Sequence, residues 1–140
     1  MKLTYRLPSL LLCFFSTAAP SECGTACTML ACRNQLSISV VGSDGSAISS
    51  FSGQIVADGV THDVSCDDSV NQSISSFIVA CEHNGFVFEG NPNLVALSLD
   101  SADLQGTAEW SPEYATFYPN GEECGGACQT AQQTVVLGPL

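Results

Sequence analysis

Phe51-Ser52-Gly53-Gln54-Ile55-Val56-Ala57-Asp58-Gly59-Val60-Thr61-His62-Asp63-Val64-Ser65-Cys66 is the stretch whose reading decides the fold class. Apolar and polar residues alternate on both sides of Asp58-Gly59, the period of a half-buried strand. An Asp-Gly connection accepts the positive φ angles of the tight hairpin turn whose twist matches its flanking strands. The stretch therefore predicts an antiparallel hairpin. Phe51, Gly53, Ile55 and Ala57 share one face of its first strand; Val60, His62, Val64 and Cys66 share one face of its second.

The chain on either side repeats this grammar. Leu36 to Val41 alternates, with Leu36, Ile38 and Val40 expected to face inward, and Gly42-Ser43-Asp44-Gly45 turns after it. Asp67 to Ser75 is polar and reads as a loop, Ser76 to Cys81 as a strand. Asn84-Gly85 reads as a second tight turn into Phe86-Val87-Phe88-Glu89. Leu94 to Leu99 and Gln105 to Trp110 follow as strands, with Ser101 to Leu104 able to form one helical turn at most. Glu113 to Tyr118 is a short edge strand, and Thr134 to Leu137 closes the domain. No window carries a helical apolar stripe of ten residues or more. Seven or eight short antiparallel strands at about ten-residue spacing argue for an all-β domain, a small disulfide-stapled β-sandwich of immunoglobulin-like or transthyretin-like kind.

The first residues have a different character. Met1 to Arg6 is a basic n-region, Leu7 to Phe15 a short apolar run, and Ser16-Thr17-Ala18-Ala19 supplies small residues, the pattern of a signal peptide cleaved after Ala18. The run is too short to span a bilayer, and no later stretch reaches the ~18 apolar residues that a span requires. The organisation expected is 1–18 signal peptide, 19–31 cysteine-containing segment and 32–140 β-sandwich. Of three Lys and Arg residues only Arg33 then remains, against fourteen Asp and Glu, a formal charge of 1 − 14 = −13. Such a surface repels phosphate backbones and anionic lipid, so nucleic acid is excluded as a partner.

Cys13 falls in the signal segment, which leaves Cys23, Cys27, Cys32, Cys66, Cys81, Cys124 and Cys128. In an exported chain this density reads as a disulfide framework. Cys66–Cys81 is the preferred central pair. Cys27, Cys32, Cys124 and Cys128 then pair among themselves, with the connectivity open. Bridges from front to back would close loops worth roughly 4–5 kcal/mol each in the chain-entropy model. Cys23 is the odd cysteine, a free thiol or a lipid-modified residue, although Pro20-Ser21-Glu22 is a poor lipobox.

Chemistry-bearing patterns are sparse. The histidines are His62 and His83, and no Gly-x-Ser-x-Gly elbow occurs. His62 with Cys66 and Cys81 with His83 would give zinc a two-His, two-Cys set if their strands paired. A Cys66–Cys81 bridge is the preferred competitor in an oxidising compartment. Asp63, Asp67-Asp68 and Glu122-Glu123 are acidic loops without the Asp-x-Asp-x-Asp-Gly pattern of a calcium loop. No catalytic residue, metal ligand or cofactor is assigned. Trp110, Tyr114, Phe117 and Tyr118 form an aromatic group able to stack on sugars or anchor a protein partner, and they are the candidate binding surface.

The run Cys27-Thr28-Met29-Leu30-Ala31-Cys32-Arg33-Asn34-Gln35-Leu36-Ser37-Ile38 carries a family resemblance, together with the Asp58-Gly59 hairpin ending at Cys66. So does the tail from Tyr114 through Tyr118-Pro119-Asn120-Gly121-Glu122-Glu123-Cys124-Gly125-Gly126-Ala127-Cys128. These stretches resemble secreted proteins and lipoproteins of myxobacteria and related deltaproteobacteria that have no assigned activity. The likeness covers most of the mature chain. Val40 to Ile48 is similar to the first strand and turn of transthyretin-like, carboxypeptidase-regulatory β-sandwiches. The resemblance implies a secreted, periplasmic or cell-surface location at the bacterial outer membrane, and offers no catalytic residues. The expectation is an exported non-enzymatic module with an unidentified protein or glycan partner. The rival readings are an adhesin-like module using Trp110 to Tyr118 and, behind it, a small secreted hydrolase.

Overall fold

A computed structural model describes residues 27, 30–67, 74–76 and 79–140. The strands are β1 (Gln35–Gly42), β2 (Phe51–Ala57), β3 (Val60–Cys66), β4 (Ile74–Ser76), β5 (Val79–Glu82), β6 (Gly85–Glu89), β7 (Val95–Ser101), β8 (Leu104–Trp110), β9 (Ala115–Phe117) and β10 (Cys128–Pro139). Among the described residues there is one short 3-10 turn, Glu122–Cys124, and no α-helix. The protein is all-β, as its alternation predicts.

The strands form a continuous path in the order β3-β2-β7-β8-β10-β1-β6-β5-β4, with β9 attached to β10. The sheet curls so that its two ends meet: β3 lies against β4, and the Cys66–Cys81 bridge joins β3 to β5. The result is barrel-like. β10 makes this possible by belonging to two ladders, pairing with β1 over Thr130 to Leu137 and with β8 at Gly138 and Pro139. The core fills the space that the sheet encloses. Leu36, Ile38 and Val40 of β1, Ile55 of β2, Phe86 of β6, Val95 and Leu99 of β7 and Leu137 of β10 are all essentially inaccessible. Each such side chain contributes about 1.5–3 kcal/mol by leaving water. Phe51 and Phe86 add a tilted ring contact with centroids 6.0 Å apart.

Four local features differ from the sequence reading. First, the strands are not all antiparallel, because β1 and β10 pair in parallel. Two disulfides tie the start of β1 to the start of β10, so both strands leave the staple in one direction. The rest of the chain serves as the long connection that parallel pairing demands. Second, the turn expected at Asn84-Gly85 is displaced by one residue. Glu82 pairs with Gly85, and His83-Asn84 form the connection. Gly85 is needed inside its strand, where a Cβ would collide with the carbonyl oxygen of Ile38. Third, Ser101 to Leu104 is a tight hairpin in which Ser101 pairs with Leu104 and Ala102 adopts φ 49°. Fourth, the expected strand from Ser76 to Cys81 is divided between β4 and β5, and β4 begins inside the expected loop; residues 68–73 and 77–78 lie outside the described set. The Asp58-Gly59 turn is as expected, with φ of 48° and 84°.

The two ends of the barrel are built differently. One end holds the β2–β3 turn, the β6–β7 and β8–β9 connections and the starts of β1 and β10. The other holds three short turns, at residues 43–45, 83–84 and 102–103.

Candidate functional site

Three disulfides are present. Cys27–Cys124 and Cys32–Cys128 span 97 and 96 residues, with Cα atoms 5.6 and 5.8 Å apart. Cys66–Cys81 spans 15 residues, with Cα atoms 5.6 Å apart, and is the pair preferred from sequence. The four outer cysteines therefore join front to back, side by side at one end of the barrel. Cys23 lies outside the described residues.

Asparagines hold the stapled segment in place. The Asn120 carboxamide makes two hydrogen bonds to the backbone of Leu30: Leu30 N–H donates to Oδ1 at 3.1 Å, and Nδ2 donates to the Leu30 carbonyl at 3.0 Å. Asn34 Oδ1 accepts from the N–H of Gln129 at 2.8 Å. The Arg33–Glu89 ion pair, at 2.8 Å, is solvent-exposed and adds at most about 1 kcal/mol.

The zinc set does not form, because both of its sulfurs are consumed in the Cys66–Cys81 bridge. The His62 ring stands edge-on to Phe88, centroids 5.3 Å apart, and His83 is exposed in the β5–β6 turn. Asp63 points outward and accepts a hydrogen bond from Gln54 Nε2 at 3.1 Å. Among the described residues, no three His, Cys, Asp or Glu side chains converge in a way that could hold a metal ion.

The aromatic group divides into two. Trp110 and Tyr114 pack against the core. The Trp110 indole N–H is shut off from solvent and has no hydrogen-bond partner among the described residues, a loss of about 1–3 kcal/mol set against the apolar burial of the ring. The Tyr114 hydroxyl donates to the Pro92 carbonyl at 3.0 Å. Burial, and secondarily the nearby charge of Asp58, pushes its pKa up to about 12. Phe117 and Tyr118 remain outside, 55 % and 37 % exposed. Of the four residues, two plug the fold and two are available to a partner.

Asp58 does more than turn the chain. Its carboxylate accepts the N–H groups of Asn93 (2.9 and 3.1 Å) and Leu94 (2.9 Å), while its own N–H donates to the Leu94 carbonyl at 2.9 Å. The carboxylate thereby clamps the β6–β7 connection onto the hairpin and sets the Pro92 carbonyl before Tyr114. The sequence shows an Asp-Gly turn and gives no sign of this second task, since its partners lie 35 and 36 residues away.

The same end also carries exposed apolar side chains. Leu30, Val60, Leu94, Phe117 and Tyr118 make up five of the seven exposed large apolar side chains among the described residues. All five belong to the stapled end: Leu30 through Asn120, Val60 and Leu94 around Asp58, and Phe117 through its pairing with Cys128.

No protein-family model matches this chain, and neither does any curated protein or solved structure. No described helix is long and apolar enough to cross a membrane.

Proposed function

We propose that this protein is an exported, non-enzymatic β module of the bacterial envelope or exterior, and that it binds a protein partner through its stapled end. One observation carries this: five exposed apolar side chains share one end of the barrel with both long-range disulfides. Cross-links that hold such a surface rigid lower the ordering cost of binding. Disulfides persist outside the reducing cytosol, and the basic and apolar pattern of residues 1–18 supplies the export route. The Cys27 to Ile38 run and the Pro119 to Cys128 tail, by their likeness to secreted myxobacterial proteins, favour a bacterial envelope. The immunoglobulin-like or transthyretin-like comparison is supported only by the two ladders that share β10, which stand in for the layers of a sandwich.

This position of the rings changes the adhesin-like reading. Phe117 and Tyr118, with Leu30, replace the full Trp110 to Tyr118 strip as the contact surface. The test begins with the full chain expressed in a bacterial host, followed by fractionation and non-reducing peptide mass analysis. Export with three bridges is expected; a cytosolic chain with reduced thiols would overturn the proposal. Capture of envelope proteins by wild type and by a Phe117→Ala/Tyr118→Ala variant then examines the surface. Equal capture by both would reject the stapled end as the contact site.

A further inference from the structure

One edge of β10 is open between two ladders. β8 and β9 both run antiparallel to β10, β8 pairing with it at Gly138 and Pro139 and β9 at residues 128–130. Between these ladders the chain departs from β10, nine residues (106–114) standing against seven (131–137), and β8 pairs with β7 instead. Over 131–137, β10 therefore has β1 on one side and, among the described residues, no strand on the other. Pro139 has no N–H to give, so Gly138 is the residue that exchanges bonds with Gln105. Alternation along an extended strand turns the peptide groups of Val136, Thr134 and Gln132 to that same side. Gly106 crowds the Val136 carbonyl oxygen, which a Cβ there would approach to 2.8 Å. Gln132 and Thr134 lie in the open part. There the Thr134 carbonyl accepts from Nε2 of Gln133 at 3.3 Å, a neighbouring side chain in place of a strand.

This edge lacks the guards that keep sheet edges from pairing. Residues 131–137 include no charged residue and no proline, and their register with β1 runs without a bulge. Val136, on the outer face, is 56 % exposed; it and Leu140 are the two exposed large apolar side chains that do not belong to the stapled end. N–H and C=O groups at strand spacing are matched by another extended backbone. A second copy's β10 is obstructed, because β9 of each copy already fills the end of the lane in which the two would pair. Charge opposes a copy as well. Glu109 and Glu113 stand exposed on the departing segment, and the described residues hold a single Lys or Arg, Arg33, already paired with Glu89. A segment from another protein can bring the missing cations.

We infer that the open edge of β10 takes an extended segment of a partner protein by strand addition, pairing with Gln132 and Thr134, and that this segment carries Lys or Arg toward Glu109 and Glu113. The inference rests on the chain being a protein-binding module, but at a site separate from the exposed apolar side chains of the stapled end. The probe is a displayed library of random heptapeptides selected on the full disulfide-bonded chain. The strongest binder is then synthesised for calorimetric titration and amide hydrogen exchange. In the free protein the N–H groups of Gln132 and Thr134 should exchange about tenfold or more faster than those of Gln133 and Val135, which face β1. Selected peptides should be rich in Lys or Arg, and the bound peptide should slow Gln132 and Thr134 by about tenfold or more. N-methylation of alternate peptide nitrogens should weaken binding about tenfold or more in one of its two patterns and little in the other, because only one side of the added strand faces β10. Glu109→Lys/Glu113→Lys should weaken binding without moving the melting midpoint. No binder recovered, preference for acidic peptides, tolerance of both N-methylation patterns or of the charge reversal would each overturn the inference. So would Gln132 and Thr134 already protected in the free protein, which would mean that the chain or a copy of it covers the edge. Binders lost on Phe117→Ala/Tyr118→Ala, with no protection of Gln132 and Thr134, would overturn the edge and leave the stapled end standing; failure of export rejects the broader proposal.

Discussion

The two ends of this barrel solve the same problem with different means. At one end, the two-residue turns at 83–84 and 102–103 return β5 to β6 and β7 to β8, and the bridge nearest to them, Cys66–Cys81, spans 15 residues. At the other, the two-residue Asp58-Gly59 turn stands beside the longer β6–β7 and β9–β10 connections, two bridges span 96 and 97 residues, and the Asp58 carboxylate reaches across the chain to hold a loop. At the first end the turns and the bridge are local, with a few distant hydrogen bonds such as Val40 N–H to the Asn84 carbonyl at 2.8 Å crossing between them. The second is held by contacts between residues far apart in sequence, and it is where apolar side chains are left exposed. Long-range cross-links hold these exposed side chains in place without burying them.

The largest expected effect comes from removing both staples. Once Cys27–Cys124 is closed, Cys32–Cys128 closes a ring of only about ten residues, worth about 3 kcal/mol, against about 4.7 kcal/mol for the first. Replacing all four cysteines by serine should cost about 7 kcal/mol, comparable to the whole stability of a small domain, and abolish cooperative urea unfolding. Losing either staple alone should cost about 3 kcal/mol, so the two losses together exceed their sum. Strict additivity in the urea midpoints would mean that the staples do not share one loop.

The Cys66→Ser/Cys81→Ser variant tests the opposite end and should also lose about 3 kcal/mol. An effect as large as that of the double staple would erase the contrast between the ends. A smaller effect is expected from Asp58→Ala, about 2 kcal/mol, from the lost hydrogen bonds to Asn93 and Leu94 and the positive φ that alanine tolerates poorly. Thermal melting measures it, and hydrogen exchange at Asn93 and Leu94 should accelerate first.

The smallest effect is a pH dependence. The Tyr114 pKa is raised from 10.0 to about 12 in the folded protein, so its contribution is complete below pH 10 and is lost as pH rises through 12. Ultraviolet titration should show one tyrosine ionising late. In Tyr114→Phe that late step should vanish, and the stability difference from wild type should narrow between pH 10 and 12. A late step that persists in the variant would place the buried phenol elsewhere.

Legibility followed the same division. β2, its Asp58-Gly59 turn and β3 were readable residue by residue, because alternation and turn chemistry are local. So were the buried faces of β1 and β7. The span of β10 was not, since Gln129, Thr130, Gln132 and Gln133 are polar on both faces and show no period. Its parallel pairing with β1 was hidden because it depends on which cysteines meet, and spacing does not select among the pairings of four cysteines. Asn84-Gly85 misled by one position because glycine serves two needs, a turn and a close approach, that look alike in a sequence. Trp110 and Tyr114 look like Phe117 and Tyr118 on paper; only the packing shows that the first two fill the fold and the last two face outward.

The parallel pairing of β1 with β10 also orders events in time. The first strand of the sheet has no partner on that side until the final strand has been made, and both staples wait for Cys124 and Cys128. Contacts between the ends of a chain are the slowest to form. While residues after Glu123 are still to be synthesised, the seam between β1 and β10 has nothing to close upon. Closure of the seam and formation of its two staples wait for the last strand, whereas Cys66–Cys81 needs only the middle of the chain.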